Sequence, residues 1–327
     1  MLHTAANGCN VEDVASDAGM ITMGINPTAR SLHEGHYLTL LQYFKAMRHH
    51  QGADGLIFID NREFDFPSHG NLDVPVRLPS SLPSVDIHQQ ILDFVVQMSR
   101  HFQDWSVRTR LKILKMSEWM APNASEASAV EGEHNGLNLY KLIQANRGTI
   151  ETFYPEFLDD HRGRRSPVVP VCPSCYKGAR DGVGIQMYPQ MLLADCQDVS
   201  CPQERFIMDL QNDHRWCIHY TIDPVRDALL ARQKSEPVLH VFGGDYGTAW
   251  GYNGMPKAKR MSDLMGRIMS KPGDPSVEHF VGPLLTRGGR KLAKSNGDAC
   301  LKPNIVDLEK ILQAGKSIID LGEKADH

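Results

Sequence analysis

The sequence predicts an α/β fold: a doubly wound parallel sheet interrupted by a cysteine-bearing insertion. Three observations carry that prediction. Short apolar runs at residues 20–25, 56–60 and 238–242 have the length and content of strands buried on both faces. The first two are joined by a segment with helical spacing, the strand–loop–helix–strand order that opens a parallel sheet. Four of the seven cysteines, Cys172, Cys175, Cys196 and Cys201, fall within thirty residues between the second and third runs.

Length, composition and charge set the bounds. The chain has 327 residues, 41% of them hydrophobic and 23% charged, which suits one large α/β domain with an insertion, or two domains. A net charge of −4 does not indicate a strongly basic nucleic-acid binder. No apolar run approaches the roughly 18 residues of a spanning helix, so no membrane association is expected. Residues 1–19 are small and polar, expected as a flexible N-terminus, and have neither the basic nor the apolar region of a secretory signal. The cytoplasm is therefore the expected compartment. An odd number of cysteines without such a signal argues against a disulfide framework and for a metal.

The expected organisation runs as follows. Residues 20–165 form the first part of the main domain with a helical insertion, 166–217 a zinc-ribbon insertion, 218–303 the second part with a lysine-bearing loop, and 304–327 a C-terminal helix and tail. Met20–Ile25 is the first strand. Asn26-Pro27-Thr28-Ala29-Arg30 is a loop, because Pro27 biases Asn26 away from the helical region. Ser31 and Glu34 form a capping box for a helix that buries Leu38, Leu41, Phe44 and Met47. Gly52 to Gly55 turn the chain into the second strand. Residues 64–85 are rich in Pro, Gly, Ser and Asn and read as a loop. Asp86 caps a helix with the stripe Ile87, Ile91, Val95, Met98 and Phe102. Residues 108–116 hold a further strand, 121–136 a mobile Ala/Ser/Glu-rich tract, and 137–158 a helical stretch. The third buried strand, Val238–Phe242, runs into Gly243-Gly244-Asp245. Helical spacing returns over 255–270, residues 281–302 form a Gly- and Lys-rich loop, and Asn304 caps a last helix to about residue 321.

Three constellations carry chemistry. His33-Glu34-Gly35-His36 lies on the first turn of a helix that follows a strand. Helix N-termini offer unpaired N–H groups and partial positive charge to an anion such as phosphate. The two imidazoles lie on one helix face and can donate to a phosphate as charge develops, and Gly35 leaves room for a nucleotide against the backbone. Lys291 and Lys294, in the glycine-flanked segment Gly289–Gly297, make a mobile cationic arm able to close on a triphosphate. Cys172-x2-Cys175 and Cys196-x4-Cys201 can form a tetrahedral thiolate shell for a structural Zn²⁺, which leaves no open position for catalysis. Cys217 and His214 are substitute ligands if Cys201 is not the fourth. Asp245 follows a strand and a double glycine, where an open α/β sheet binds ligand.

These residues carry a resemblance. His33-Glu34-Gly35-His36 resembles the H-I-G-H motif of class I aminoacyl-tRNA synthetases, and Lys291-Leu292-Ala293-Lys294-Ser295 resembles their K-M-S-K-S. Glu34 departs from the usual apolar second position, but the same L-H-E-G-H is found in pantothenate synthetases, which also make an acyl-adenylate. Ser166-Pro167-Val168-Val169-Pro170-Val171-Cys172-Pro173 resembles the S-P-x-x-P-x-C-P opening of the cysteine module in class I lysyl-tRNA synthetases. Asp223, Pro224 and Arg226 match part of the stretch that follows that module. Phe242, Gly243 and Asp245 match part of the family's E-P-F-G-K-D-H, whose acid and histidine are absent. The Asn26–Ala29 loop is more similar to tyrosyl-type synthetases.

The resemblance implies a class I synthetase-type nucleotide-binding domain, Rossmann-like, that activates an amino acid, lysine or a relative, with ATP to an aminoacyl-adenylate. It implies catalytic roles for His33, His36, Lys291 and Lys294, and ATP binding by Asn26, Thr28, Gly35, Gly243, Asp245 and Ser295. Mg²⁺ would bridge the phosphates. Only Cys300–His327 follow the lysine motif, so no anticodon-binding domain is expected. The expected acceptor is then a small amine, a carrier or a protein group, in a stand-alone ligase. The alternatives are a lysyl-tRNA ligase charging through the tRNA acceptor stem alone and a catalytically silent nucleotide-binding paralogue.

Overall fold

A computed structural model describes residues 17–25, 32, 34–59, 84–115, 136–153, 159–160, 163–164, 168–175, 178–180, 184–210, 216–218, 223–243, 264, 273–281, 286–287 and 290–291. In chain order the elements begin β1 (Met20–Ile25), α1 (Glu34–His49), β2 (Asp54–Ile59), α2 (Ser84–Phe102), α3 (Ser106–Arg110) and β3 (Leu111–Lys115). They continue α4 (Gly136–Ala145), α5 (Arg147–Phe153), β4 (Asp159–Asp160), β5 (Gly163–Arg164), β6 (Val168–Pro170), β7 (Ile185–Met187), β8 (Met191–Asp195), β9 (Arg205–Asp209) and β10 (Trp216–Ile218). The last are α6 (Asp223–Lys234), β11 (Val238–Phe242), β12 (Val277–Val281), β13 (Thr286–Arg287) and β14 (Arg290–Lys291). Among the described residues no helix is long and apolar enough to cross a membrane.

The chain divides into two compact units. One gathers Met1–Ile59, Pro83–Ile113 and Leu230–His327; the other gathers Asp60–Leu82 and Leu114–Leu229. The first unit is built on a five-stranded sheet in the order β12-β11-β1-β2-β3. β1 pairs in parallel with β2 on one side and β11 on the other, and β11 pairs in parallel with β12. The chain thus winds outward from β1 in both directions, so the order reverses between β1 and β11. The three expected strands lie side by side in one parallel sheet, as the apolar runs predict.

One face of this sheet presents Ile21, Met23, Ile25, Ile57, Ile59, Leu239 and Val241 to the apolar stripes of α1 and α2. Tyr37 of α1 packs on Phe94 of α2 at 5.1 Å, and Phe44 stacks on Phe102 at 5.8 Å. α1 lies very close to β2: a side chain at Gly55 would meet the Tyr43 hydroxyl at 2.5 Å and Met47 at 2.7 Å. The opposite face carries Thr22, Leu56, Phe58, His240 and Phe242, all buried. There Thr22 Oγ1 and His240 Nδ1, level with each other across β1 and β11, share a hydrogen bond of 2.8 Å.

Several elements depart from expectation. β2 starts at Asp54, two residues before the apolar run. α2 begins at Ser84, so Asp86 lies in its first turn rather than capping it; a carboxylate there faces the positive end of the helix dipole. Residues 108–110 close the short helix α3, and only Leu111–Lys115 form the strand expected over 108–116. The helical stretch expected over 137–158 is broken at Asn146, whose Nδ2 donates back to the Leu142 carbonyl at 2.9 Å. β12 was not expected, because Glu278 and His279 interrupt its apolar pattern. The expected loop over 281–302 contains the β13–β14 hairpin, which places Lys291 on a strand. The loop 26–30, Ser31, residues 121–135, residues 255–270 apart from Leu264, and the last helix lie outside the described residues.

The second unit is different in kind. β7, β8 and β9 form an antiparallel three-stranded sheet, and β6 pairs with β10. α4 packs against β6, with Tyr140, Ile143 and Ile150 buried nearby in sequence. On α6, Arg226 is fully buried and bonded to Asp223 at 2.7 Å and Asp227 at 3.0 Å. A buried guanidinium needs such partners to offset its desolvation.

Candidate functional site

The four cysteines of the expected metal site come together. Cys172 follows β6, Cys175 lies in the next turn, Cys196 follows β8, and Cys201 lies in the turn that leads to β9. Their Sγ atoms all lie within 4.8 Å of one another. Cys172 and Cys201 approach to 3.8 Å, Cys175 and Cys196 to 3.4 Å. A Zn²⁺ with bonds of ~2.3 Å to four thiolates in a tetrahedron sets its sulfurs about 3.8 Å apart, so the cage fits such an ion. Cys201 therefore belongs to the group. His214 lies outside the described residues.

Local sequence explains both knuckles. The first is tied by backbone N–H groups of Ser174 and Cys175 directed at the Cys172 sulfur. In the second, the Asp198 N–H donates to the Cys196 Sγ at 3.4 Å, and the Asp198 carboxylate accepts from the Ser200 N–H at 3.0 Å and the Ser200 hydroxyl at 2.6 Å. The Cys201 N–H then donates to the Asp198 carbonyl at 3.0 Å. This aspartate-centred turn takes up the extra residues of the wider x4 gap. The strands hold the knuckles to one another: the Cys196 N–H donates to the Glu204 carbonyl at 2.7 Å, and Ser174 Oγ to Gln203 Oε1 at 2.5 Å.

The thiols are poised unequally. Burial opposes ionisation of Cys172, but the backbone N–H groups of Cys175 and Ser174, with the Cys175 and Cys201 thiols, outweigh it and lower its pKa. Burial, together with Cys175 and Cys172, pushes the Cys196 thiol far up, against the pull of the Asp198 N–H. Four sulfurs this close ionise together only around a cation, which would displace their protons.

No protein-family model matches the chain, and no curated protein matches it. What a second site can do rests on its own residues, at the C-terminal edge of the parallel sheet. Extending the β1–β11 register sets Gly243, just past β11, level with Ile25 at the end of β1. Ligands of open α/β sheets bind at such a strand edge, where the order reverses. α1 returns from this edge, so its first turn, with Gly35 and half-buried His36, starts there. Both ends of α1 are held. The Leu32 N–H, just before the helix, donates to buried Gln90 Oε1 of α2 at 2.9 Å. At the far end Arg110 donates to the carbonyls of Met47 at 2.6 Å, His50 at 2.9 Å and Ala53. Thr39 Oγ1 donates to the Gly35 carbonyl at 3.0 Å inside the first turns.

Of the expected ATP-site residues, Gly35, His36 and Gly243 are described, and Lys291 is described as part of β14. His33, Asn26, Thr28, Asp245, Lys294 and Ser295 lie outside the described residues. Gln90 and Arg110, which position α1, were not found from the sequence. Gln90 occupies a polar position beside the stripe of α2, and an arginine before a strand carries no signal of its distant carbonyl partners.

Proposed function

We propose that the chain is an ATP-dependent ligase of the class I aminoacyl-tRNA synthetase type that activates an amino acid to an aminoacyl-adenylate. One observation carries the reading: H-E-G-H opens α1 at the edge where the order of the parallel sheet reverses beside β11 and Gly243. A helix N-terminus at such an edge is suited to a polyphosphate. In this reading His33 and His36 bind the triphosphate, with Gly35 giving close approach. Gly243 and Asp245 seat the ribose, and Asn26, Thr28 and Ser295 line the nucleotide. Lys291 and Lys294 stabilise charge on the α-phosphate and the departing pyrophosphate, and Mg²⁺ would supply further charge neutralisation there. Lysine or a close relative is the amino acid the motif resemblance favours.

The cysteine module has a separate role. Cys172, Cys175, Cys196 and Cys201 would hold a structural Zn²⁺, and the closed shell gives it no part in the reaction. The adenylate is the same whether a tRNA acceptor stem, an amine or a carrier thiol attacks it. Incubation with ATP, the amino acid and total tRNA separates these acceptors by whether acid-precipitable aminoacyl-RNA forms. Lys294→Ala tests the site itself. It is expected to slow amino-acid-dependent ATP–pyrophosphate exchange by ~10²-fold or more. Exchange at the wild-type rate would remove the lysine segment from the mechanism.

A further inference from the structure

The antiparallel sheet of the second unit ends on β9, Arg205-Phe206-Ile207-Met208-Asp209. Among the described residues, β9 pairs with β8 on one side and with no strand on the other. At the ends of that ladder the Leu210 N–H donates to the Gln190 carbonyl at 3.0 Å and the Cys196 N–H to the Glu204 carbonyl at 2.7 Å. Along an antiparallel strand, residues bonded to one neighbour alternate with residues bonded to the other. Phe206 and Met208 thus direct their N–H and C=O groups to β8. Arg205, Ile207 and Asp209 direct theirs to the open edge. The side chains of the same three residues are exposed, Ile207 at 59%. An edge with an exposed apolar centre is a template for another strand.

The strand is complementary to itself. Laid antiparallel on a second copy about a two-fold axis at Ile207, it sets Ile207 opposite Ile207 and each Arg205 opposite the partner's Asp209. The hydrogen-bonded positions of that register are the three residues whose backbone groups face outward. A register displaced by two residues keeps the backbone bonds but opposes Arg205 to Ile207 and loses both ion pairs. Arg205 already bonds Asp195 of β8 at 2.7 Å on this face, and a guanidinium has donors left for a second carboxylate.

We propose that β9 is a self-association edge: two copies of this chain join by antiparallel β9–β9 pairing into one continuous sheet. The interface is isologous, as a two-fold requires. A five-residue ladder buries less than the ~1,600 Å² of a standard interface, so the dimer is concentration-dependent.

Sedimentation velocity of the full chain with Zn²⁺ present, over a dilution series, is expected to show reversible monomer–dimer exchange. Asp209→Arg opposes arginine to arginine twice per dimer, and Arg205→Asp opposes aspartate to aspartate twice. Each alone should weaken association about tenfold or more, from two reversed cross-strand pairs. An equimolar mixture of the two variants should restore it, because the mixed dimer regains both opposite-charge pairs. That recovery separates an edge effect from a folding defect. A wild-type chain that stays monomeric throughout, an Asp209→Arg chain that dimerises like the wild type, or a mixture that fails to recover overturns the proposal.

Discussion

The parallel sheet and the three-stranded antiparallel sheet differ in how much of each strand is dry. β11 is buried at all five positions, and β1 at all but one. β9 alternates exposed and buried along its length, and β8 nearly so. A strand buried on both faces is part of a core and stabilises its unit through apolar area alone. A strand buried on one face contributes half as much, and the inner face of this small sheet offers few large side chains, chiefly Leu192, Phe206 and Met208. The four thiols stand where that apolar area runs short. The first unit is held by its core; the second depends on a metal.

The largest expected effect breaks the second sheet and spares the first. Structural Zn²⁺ contributes on the order of 10–16 kcal/mol to folding of small zinc modules. Cys196→Ser, or chelation of the metal, should therefore abolish hydrogen-exchange protection in β8 and β9 while β1, β2 and β11 keep theirs. Protection that survives in β8 without metal would mean the cage is dispensable. Acid acts in the same direction. The Cys196 thiol, raised by burial, holds its proton to high pH, so metal must displace it and affinity falls as pH falls. A Co²⁺ titration at two pH values measures this.

Next in size is Arg110, whose guanidinium serves the carbonyls at the end of α1 and in the turn to β2. Arg110→Leu is expected to destabilise the first unit by about 2–4 kcal/mol, since several carbonyls lose a charged donor. Urea denaturation monitored on that unit gives the value; a change below about 0.5 kcal/mol would mean that water replaces the guanidinium fully. Gly55→Ala should cost less, about 1–3 kcal/mol, because the new methyl forces Tyr43 and Met47 from their places. A neutral Gly55→Ala would show that the α1–β2 contact is looser than the packing indicates.

The same contrast governs what could be read from the sequence. The apolar runs of β1, β2 and β11 are unbroken, because both faces of those strands are dry, and they placed the parallel sheet. β12 escaped because Glu278 and His279 give a sheet-edge strand a mixed pattern. The metal site was legible through thiol spacing, and Cys201 held its place because the Asp198 turn absorbs the wider gap. The supports of the other site were not legible. Gln90 and Leu32 are far apart in sequence and meet through one buried hydrogen bond, which no local pattern announces. The motif residues of α1 stood out only because they cluster on one turn; the pairing of their edge with β11 is a property of topology.

Amino-acid-dependent ATP–pyrophosphate exchange by the wild-type chain, scanned across the twenty amino acids and related carboxylic acids, tests the proposed activation most directly. Label should pass from pyrophosphate into ATP with lysine or a close relative, and not without an amino acid. Exchange with none of these substrates, in a chain whose Zn²⁺ content and fold are intact, would contradict adenylate formation.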